Sequence, residues 1–271
     1  MMKTFKGSTS DDVFAFLEDK ILEIDNLLGR HEYMIIGSYV RDIHLNRAGL
    51  KSPRGTQDLD VSVAVQDFPD FREKLDAFGS QRGVLTRRYL GGTPIDIIPF
   101  GPIARDGSFS HGDSRWELRG LAEAYKTAEL LEIGDASVKI PRLQAMMGLK
   151  IIAWGERLLP TDCSDFRHLL RASTNLSLNQ EKGSIWDSDV WENEDIIELC
   201  EGDPVLLAAY EAGQKLAGLF WGEALEQCLE VLADESEQED FAMSALRDIK
   251  EEESRKTYKD AQKVFLRGMQ S

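Results

Sequence analysis

The segment 55–65 constrains the fold more than any other part of the chain, because it places two carboxylates at the start of an apolar run. In a β-strand successive side chains point to opposite faces, so Asp58 and Asp60 project together from one side. The apolar residues at 59, 61, 63 and 65 pack on the other side. Neighbouring carboxylates repel, and a hard divalent cation such as Mg²⁺ binds oxygen ligands of this kind. The alternative is a strand that begins at the surface with two solvated acids.

A Gly-Ser turn precedes this strand. Residues 33–42 comprise a short apolar run, then Gly37 and Ser38, then a segment that is compatible with a helix. The backbone of such a turn can approach a phosphate closely, and a following helix presents free N–H groups and the positive end of its dipole. Ser38 adds a hydroxyl group. The same dipeptide also occurs in ordinary turns that bind nothing.

A third acid follows the strand. Gly91 and Gly92 predict a hairpin turn between strands at 84–90 and 95–98. Asp96 lies within the second of these strands, where its neighbours are isoleucines, and an acid in that setting is rarely buried without a partner. Asp96 is therefore either a third member of the carboxylate group or an edge-strand charge that opposes aggregation.

In their order along the chain, the turn, the Asp-x-Asp strand and the third carboxylate resemble the nucleotidyltransferase superfamily, which has a DNA polymerase β-like fold. The segments 138–154 and 159–170 resemble the region after the catalytic domain in AbiEii-type toxin nucleotidyltransferases, where a proline opens a helix that carries a lysine and an Asp-rich helix start follows. Residues 37–42 also share a Val-Arg-Asp element with CCA-adding enzymes, but the Arg-Arg-Asp-Phe element of those enzymes has no counterpart here.

The resemblance implies nucleotidyl transfer. An acceptor hydroxyl or phosphate attacks the α-phosphorus of a nucleoside triphosphate, and pyrophosphate leaves. The implied ligands of one or two Mg²⁺ (or Mn²⁺) ions, which neutralise charge on the attacking and leaving oxygens, are Asp58, Asp60 and Asp96. Asp96 is also expected to help deprotonate the acceptor hydroxyl.

The resemblance also implies residues that bind the nucleotide. Gly37, Ser38 and Arg41 are expected to hold the triphosphate. Lys150 is expected to pair with phosphate and to be oriented by Asp165. Each of the last two has a simpler interpretation, because a helical lysine commonly belongs to a solvated face and an acid near a helix start interacts favourably with the dipole.

Composition restricts the class of protein. The 271 residues are 42% hydrophobic, which is enough for one large or two small domains with a sizeable core. No segment approaches the roughly eighteen apolar residues of a membrane helix, and the N-terminus lacks the apolar core of a signal peptide. Three cysteines without metal-binding spacing favour reduced thiols. We therefore expect a cytoplasmic protein with no membrane partner.

Charge is unevenly distributed. The formal net charge of −16 divides into −4 for residues 1–140 and −12 for residues 141–271. An acidic second half argues against a wide nucleic-acid footprint there. It is also compatible with a solvated face that only maintains solubility. An RNA acceptor is expected to enter beside the basic residues around the predicted site, which are Arg41, Arg47, Lys51, Arg54, Arg87, Arg88 and Arg105.

These patterns predict an α+β fold. Residues 1–140 are expected to form a nucleotidyltransferase core, a small mixed β-sheet with flanking helices. Residues 141–271 are expected to form a mostly helical domain that contributes Lys150 and Asp165 to the cleft between the two. Predicted helices cover 11–28, 70–78, 143–156, 163–173, 193–201, 204–219, 221–233 and 238–265; predicted strands cover 33–36, 59–65, 84–90, 95–99, 129–133 and 137–140, with a loop at 101–114.

Three functional hypotheses remain. The leading one is a Mg²⁺-dependent, AbiEii toxin-like nucleotidyltransferase that uses an NTP, modifies tRNA, other RNA or a protein, and has a cognate antitoxin as partner. The second is an antibiotic nucleotidyltransferase, since an acidic second domain suits a polycationic aminoglycoside acceptor. The third is a catalytically silent nucleotide-binding protein of the same fold.

Overall fold

The computed structural model describes residues 11–53, 55–56, 58–79, 84–104, 106–179 and 184–271. Arg54 and Arg105, two of the basic residues predicted to lie near the site, fall outside the described residues. The described chain divides into two compact units. The first comprises residues 11–46 together with Lys51–Arg142, and the second comprises Arg47–Leu50 together with Leu143–Ser271.

The first unit is built around a mixed sheet. Its elements are α1 (Asp11–Leu28), β1 (Tyr33–Ile36), α2 (Gly37–Arg47), β2 (Leu59–Ala64), α3 (Phe68–Ala77), β3 (Arg87–Leu90), β4 (Thr93–Phe100), β5 (Ser108–His111), β6 (Ser114–Glu117), α4 (Leu121–Lys126), β7 (Glu129–Ile133) and β8 (Ala136–Ile140). Six strands form one sheet in the order β3-β4-β2-β1-β8-β7. The pairs β1–β8 and β2–β4 are parallel, and the other three pairs are antiparallel.

The apolar residues of β2 confirm the predicted alternation. Leu59, Val61 and Val63 have no exposed surface, whereas Asp60 between them is partly exposed. Burying one such side chain contributes about 1.5–3 kcal/mol. A slip of one residue would turn this apolar set away from the core, so the pattern fixes the register that carries Asp60.

One predicted loop is a hairpin instead. Residues 101–114 contain β5, which pairs with β6 in a separate two-stranded sheet. Phe109 stacks with the rings of Phe68 and Trp116, at centroid distances of 6.0 and 5.4 Å. It also contacts the ring of Phe71 in an edge arrangement at 5.7 Å. These aromatic contacts stabilise a hairpin whose Gly, Ser and Asp content is typical of a loop.

The second unit is helical throughout its described residues apart from its connections. Its elements are α5 (Leu143–Arg157), α6 (Pro160–Asn179), a 3₁₀ turn (Ile185–Asp187), α7 (Asp189–Glu192), α8 (Glu194–Leu199), α9 (Pro204–Leu219), α10 (Glu223–Val231), α11 (Glu235–Ala245) and α12 (Glu252–Gln270). The single helix predicted over 238–265 is wrong, because α11 and α12 are separate. Arg255 donates to the carbonyl oxygens of Leu246 and Ile249 in the connection and so stabilises the break.

Helices α9 and α12 pack closely because each has a glycine at the crossing. A Cβ atom on Gly213 would lie 2.8 Å from the backbone nitrogen of Met269, and one on Gly268 would lie 2.9 Å from the carbonyl carbon of Tyr210. These contacts are shorter than any normal Cβ contact. The small residues therefore allow the two backbones to touch.

The predicted fold class is confirmed: an α+β chain whose small mixed sheet with flanking helices is followed by a mostly helical C-terminal region. No helix within the described residues combines the length and the apolar character that crossing a bilayer requires.

Candidate functional site

The turn between β1 and α2 lies directly against a carboxylate. Strand β1 ends at Ile36 and α2 begins at Gly37, which has a φ of +73°. A Cβ atom on Gly37 would lie 2.8 Å from Cγ of Asp60 and closer still to Oδ2. Glycine is required here both by the positive φ and by the space that the carboxylate occupies. The predicted turn and the predicted Asp-x-Asp segment are therefore in contact.

The second and third acids lie side by side. Asp60 is paired in register with Asp96 across the parallel strands β2 and β4. Directly paired residues of adjacent strands share a face of the sheet, so the two carboxylates lie on the same face. Asp58 precedes β2, and its Oδ1 and carbonyl oxygen each lie 3.2 Å from the hydroxyl oxygen of Thr56. Sequence proximity and strand pairing together group the three acids in one region of the first unit.

A guanidinium group joins two of these acids. Arg87 lies opposite Asp96 in the antiparallel pair β3–β4. Its Nε donates to Asp96 Oδ1 at 2.7 Å, its Nη2 donates to Asp96 Oδ2, and the same Nη2 lies 3.2 Å from Asp58 Oδ2. The hydrogen bond to Asp96, with smaller Coulombic contributions from both acids, raises the pKa of Arg87 despite its partial burial. Local sequence patterns did not predict this role of Arg87, which was expected only as one of the basic residues around the site.

The residues present have the chemistry of a hard-cation site. Three carboxylates supply oxygen ligands, and the backbone at Gly37 leaves no room for a side chain above Asp60. As the side chains stand, no three His, Cys, Asp or Glu residues in the described parts of the chain are close enough to hold a metal ion. One guanidinium nitrogen of Arg87 instead contacts both Asp58 and Asp96. The donor set therefore fits a divalent cation only if Arg87 shifts, and the metal assignment stays a prediction.

Arg41, predicted to bind the nucleotide, is fully buried. Its Nε and Nη2 lie 2.7 and 2.6 Å from Oδ1 of Asp42, so the two residues form an ion pair within α2. Next to them, Tyr39 stacks on Phe16 with the ring centroids 5.7 Å apart. Burial raises the pKa of Tyr39, and the nearby carboxylates of Asp58 and Asp42 add to this effect. The guanidinium of Arg41 is therefore paired inside the protein and is not exposed to solvent.

Lys150 and Asp165 are brought together in the second unit. Lys150 Nζ lies 2.8 Å from Asp165 Oδ2 and 3.1 Å from Asp162 Oδ1. Asp162 also accepts from Arg157 Nε at 2.7 Å. Both aspartates are almost completely buried, with exposures of 1% for Asp162 and 0% for Asp165. Asp162 is a partner of Lys150 that the sequence did not predict, although the i, i+3 spacing of Asp162 and Asp165 places them on one face of α6.

Not all of the predicted basic residues face solvent. The guanidinium of Arg88 donates to the carbonyl oxygens of Leu75, Leu85 and Arg87, and burial lowers its pKa. Arg88 is therefore a structural residue that fixes β3 against the end of α3. Together with the pairing of Arg87, this leaves fewer exposed cations beside the acids than the sequence suggested.

Comparison with known proteins gives limited similarity. No protein-family model matches the chain. No curated protein matches it either. Among solved structures, it is similar to the solution structure of the antibiotic-resistance factor ANT(2'')-Ia, with 16% identity, 62% of this chain and 86% of the other covered, and a TM-score of 0.37.

Two further solved structures are similar to a comparable degree. A crystal structure of ANT(2'')-Ia in complex with adenylyl-2''-tobramycin matches with 13% identity, covers 59% of this chain and 89% of that chain, and has a TM-score of 0.36. An antigenic nucleotidyltransferase-like protein from Paracoccidioides brasiliensis matches with 16% identity, covers 83% of this chain and 99% of that chain, and has a TM-score of 0.40. The structural neighbours are thus nucleotidyltransferases or similar to them, but similarity this low does not assign an activity.

Proposed function

We propose that the protein is a Mg²⁺-dependent nucleotidyltransferase that moves a nucleoside monophosphate from an NTP to an acceptor. The observation that carries the proposal is the contact between the Gly37 turn and Asp60, with Asp96 in register beside Asp60. A turn that exposes backbone N–H groups next to a cluster of carboxylates can hold a phosphate and its counter-ion within a few ångströms of each other.

The start of α2 is suited to the triphosphate. This helix has eleven residues and no acid in its first turn. Its free N–H groups and positive dipole end favour an anion there, and the Ser38 hydroxyl offers a further donor. Buried Arg41 supports the same helix through Asp42 and does not need to touch the phosphate.

The three acids have two roles on this proposal. Asp58, Asp60 and Asp96 bind the metal. A bound Mg²⁺ supplies charge neutralisation to the attacking and leaving oxygens of the displacement. Asp96 also accepts the proton of the acceptor hydroxyl at one of its carboxylate oxygens. Both roles require Asp96 to be released from the two hydrogen bonds that Arg87 donates to it.

Lys150 supplies further positive charge to the phosphates. Its contact with Asp165 at 2.8 Å supports the idea that Asp165 positions the ammonium group. Asp162 holds the same lysine from a second side and also binds Arg157, so the ammonium has few accessible orientations. We propose that residues 141–271 act as a helical domain that contributes this lysine to the site.

We propose two classes of acceptor. A tRNA, another RNA or a protein modified in the manner of AbiEii-type toxins, with a cognate antitoxin as the regulator, is the first proposal. The second candidate is a small polycationic acceptor such as an aminoglycoside, which is favoured by the net charge of −12 in residues 141–271.

All three cysteines, Cys163, Cys200 and Cys228, are buried and free, and we propose a cytoplasmic location on that basis.

The test is transfer of label from each α-³²P-labelled NTP in the presence of Mg²⁺ and total cellular RNA. The control is the Asp58→Asn/Asp60→Asn double variant. A matched variant, Asp106→Asn/Asp113→Asn, removes two exposed carboxylates outside the site and should keep full transfer. We expect label to enter RNA with the wild type and the matched variant, and to fall at least 100-fold in the site variant.

The other outcomes distinguish the alternatives. Label that enters an added aminoglycoside and not RNA supports the second candidate. Mg²⁺-dependent NTP binding without transfer to any acceptor supports the catalytically silent protein. An absence of NTP binding, with the proteins shown to be folded, overturns the proposed function. Toxicity on expression that is lost in the site variant would separate the toxin from the resistance enzyme.

A further inference from the structure

Arg87 is a cationic side chain that already binds two of the three acids. Its Nη2 contacts Oδ2 of both Asp58 and Asp96, and its Nε holds the second oxygen of Asp96 at 2.7 Å. A guanidinium that binds a carboxylate through two nitrogens forms one of the stronger and more directional ion pairs. The distance of 3.2 Å to Asp58 shows that both carboxylates already converge on a single cationic atom.

The ion pairs of Arg87 with Asp58 and Asp96 are partly exposed to solvent and can separate without displacing the strand. The side chain of Arg87 is 34% exposed, and the side chains of Asp58 and Asp96 are 43% and 24% exposed. Strand β3, which carries Arg87, is at the edge of the six-stranded sheet. Its neighbour Arg88 is 2% exposed and is held by three backbone carbonyl oxygens, so β3 stays in place when the side chain of Arg87 turns outward.

The charges around Arg87 favour replacement by a divalent ion. One guanidinium carries a single positive charge, whereas Asp58 and Asp96, the two acids that it contacts, carry two negative charges when ionised. Arg87 alone therefore does not neutralise this group of two acids. An ion with two positive charges neutralises this group better than one guanidinium does, provided that it can take the same oxygens.

We infer that Arg87 is an internal counter-cation that competes with the divalent ion for Asp58 and Asp96 and thereby sets the metal affinity of the site; this inference rests on the proposed function. Without metal, Arg87 prevents mutual repulsion of the acids and keeps them converged. With metal, Arg87 turns to solvent and releases Asp96 to accept a proton. Arg87 is accordingly a positioning residue with two effects. It holds the acids in place before the ion binds, and it weakens the binding of the ion because it competes for the same oxygens.

The test measures binding of Mn²⁺ alone by electron paramagnetic resonance of the free ion, because carboxylate sites that suit Mg²⁺ also suit Mn²⁺. The variants are Arg87→Gln, which removes the charge, and Arg87→Lys, which keeps the charge but cannot form the bidentate pair. The matched control is Arg72→Gln, which removes an exposed arginine on α3. Asp60→Asn in each background shows that the bound ion is at this site.

We expect Arg87→Gln to tighten Mn²⁺ binding about ten-fold, Arg87→Lys to have a smaller effect and Arg72→Gln to have none. Without metal, the Arg87→Gln protein should unfold at a lower temperature than the wild type, and added Mg²⁺ should raise its unfolding temperature more than it raises that of the wild type. This second readout does not depend on turnover.

Failure of this inference can be distinguished from failure of the proposed function. If Arg87→Gln and wild type bind Mn²⁺ equally well at an Asp60-dependent site, or if the variant binds it more weakly, the competition is overturned and the proposed function stands. If the folded wild type and every folded variant bind no Mn²⁺ and no Mg²⁺-dependent NTP, both proposals are overturned.

Discussion

Replacement of Gly37 by alanine tests the arrangement that the proposed function depends on. At a φ of +73° an alanine is strained by about 1–2 kcal/mol. Its Cβ would also lie 2.8 Å from Asp60 Cγ and 3.0 Å from Asp60 Cβ, so the carboxylate must rotate away from its present position. An off-rotamer side chain costs about 0.5–1.5 kcal/mol. Together with the backbone strain this gives a total of about 1.5–3.5 kcal/mol. Displacement of this carboxylate by about 1 Å should lower transfer about 100-fold.

The matched control for this variant is Gly112→Ala. Gly112 also has a positive φ, +57°, but no atom lies within 4 Å of the Cβ that alanine would add. It therefore isolates backbone strain from the clash with Asp60. Urea unfolding should show a loss of about 1–2 kcal/mol for Gly112→Ala and a larger loss for Gly37→Ala, and only Gly37→Ala should lower transfer and Mn²⁺ binding. Equal losses of stability, or a Gly37→Ala protein with normal Mn²⁺ binding, would refute the argument that the turn fixes Asp60.

Three further predictions concern stability. Asp162→Ala should lower the free energy of unfolding, measured in urea, by about 3 kcal/mol because it removes a buried partner of Lys150. Asp248→Ala is the control: it removes a 66% exposed partner of Arg167 and should lower the free energy of unfolding by less than about 1 kcal/mol. Burial raises the pKa of the Cys200 thiol to about 11 from 9.0. The Cys200 thiol therefore makes its full contribution to the free energy of unfolding below about pH 9, and this contribution is lost as the pH rises to about 11. Cys200→Ala should remove this loss from the pH dependence of the free energy of unfolding. Phe109→Ala should cost about 3–5 kcal/mol, measured by the same method, if β5 and β6 are held by their aromatic contacts.

Much of the fold was predictable because the local patterns are strong. The bounds predicted for α1, β1 and α9 agree with the structure, as do the β3–β4 hairpin at Gly91-Gly92 and the β7–β8 hairpin. Each has a clear apolar period or an unambiguous turn. The β5–β6 hairpin was missed because its stability comes from rings that are distant in the sequence, such as Phe68 and Phe109.

The candidate site was predictable only as a set of residue types. The carboxylates at 58, 60 and 96 and the turn at Gly37 were recognisable from local patterns. The partners of those groups were not, because an ion pair is chosen by strand pairing and helix packing. Arg87 reaches Asp96 only through the register of β3 on β4, and Asp162 reaches Lys150 only through the packing of α5 on α6.

The sequence by itself determined most of the strands and helices and which side of β2 is buried. It also predicted, by resemblance, that three acids and a glycine turn belong to one class of site. The strands, the helices and the buried face of β2 depend on neighbours within about ten residues, where periodicity and turn chemistry act. The tertiary structure decided that Gly37 lies against Asp60, that Asp60 and Asp96 are in register, and that Arg87 holds two of the acids. Those contacts join residues that are 9 to 36 positions apart and lie on different strands or turns, and only the assembled sheet brings them together.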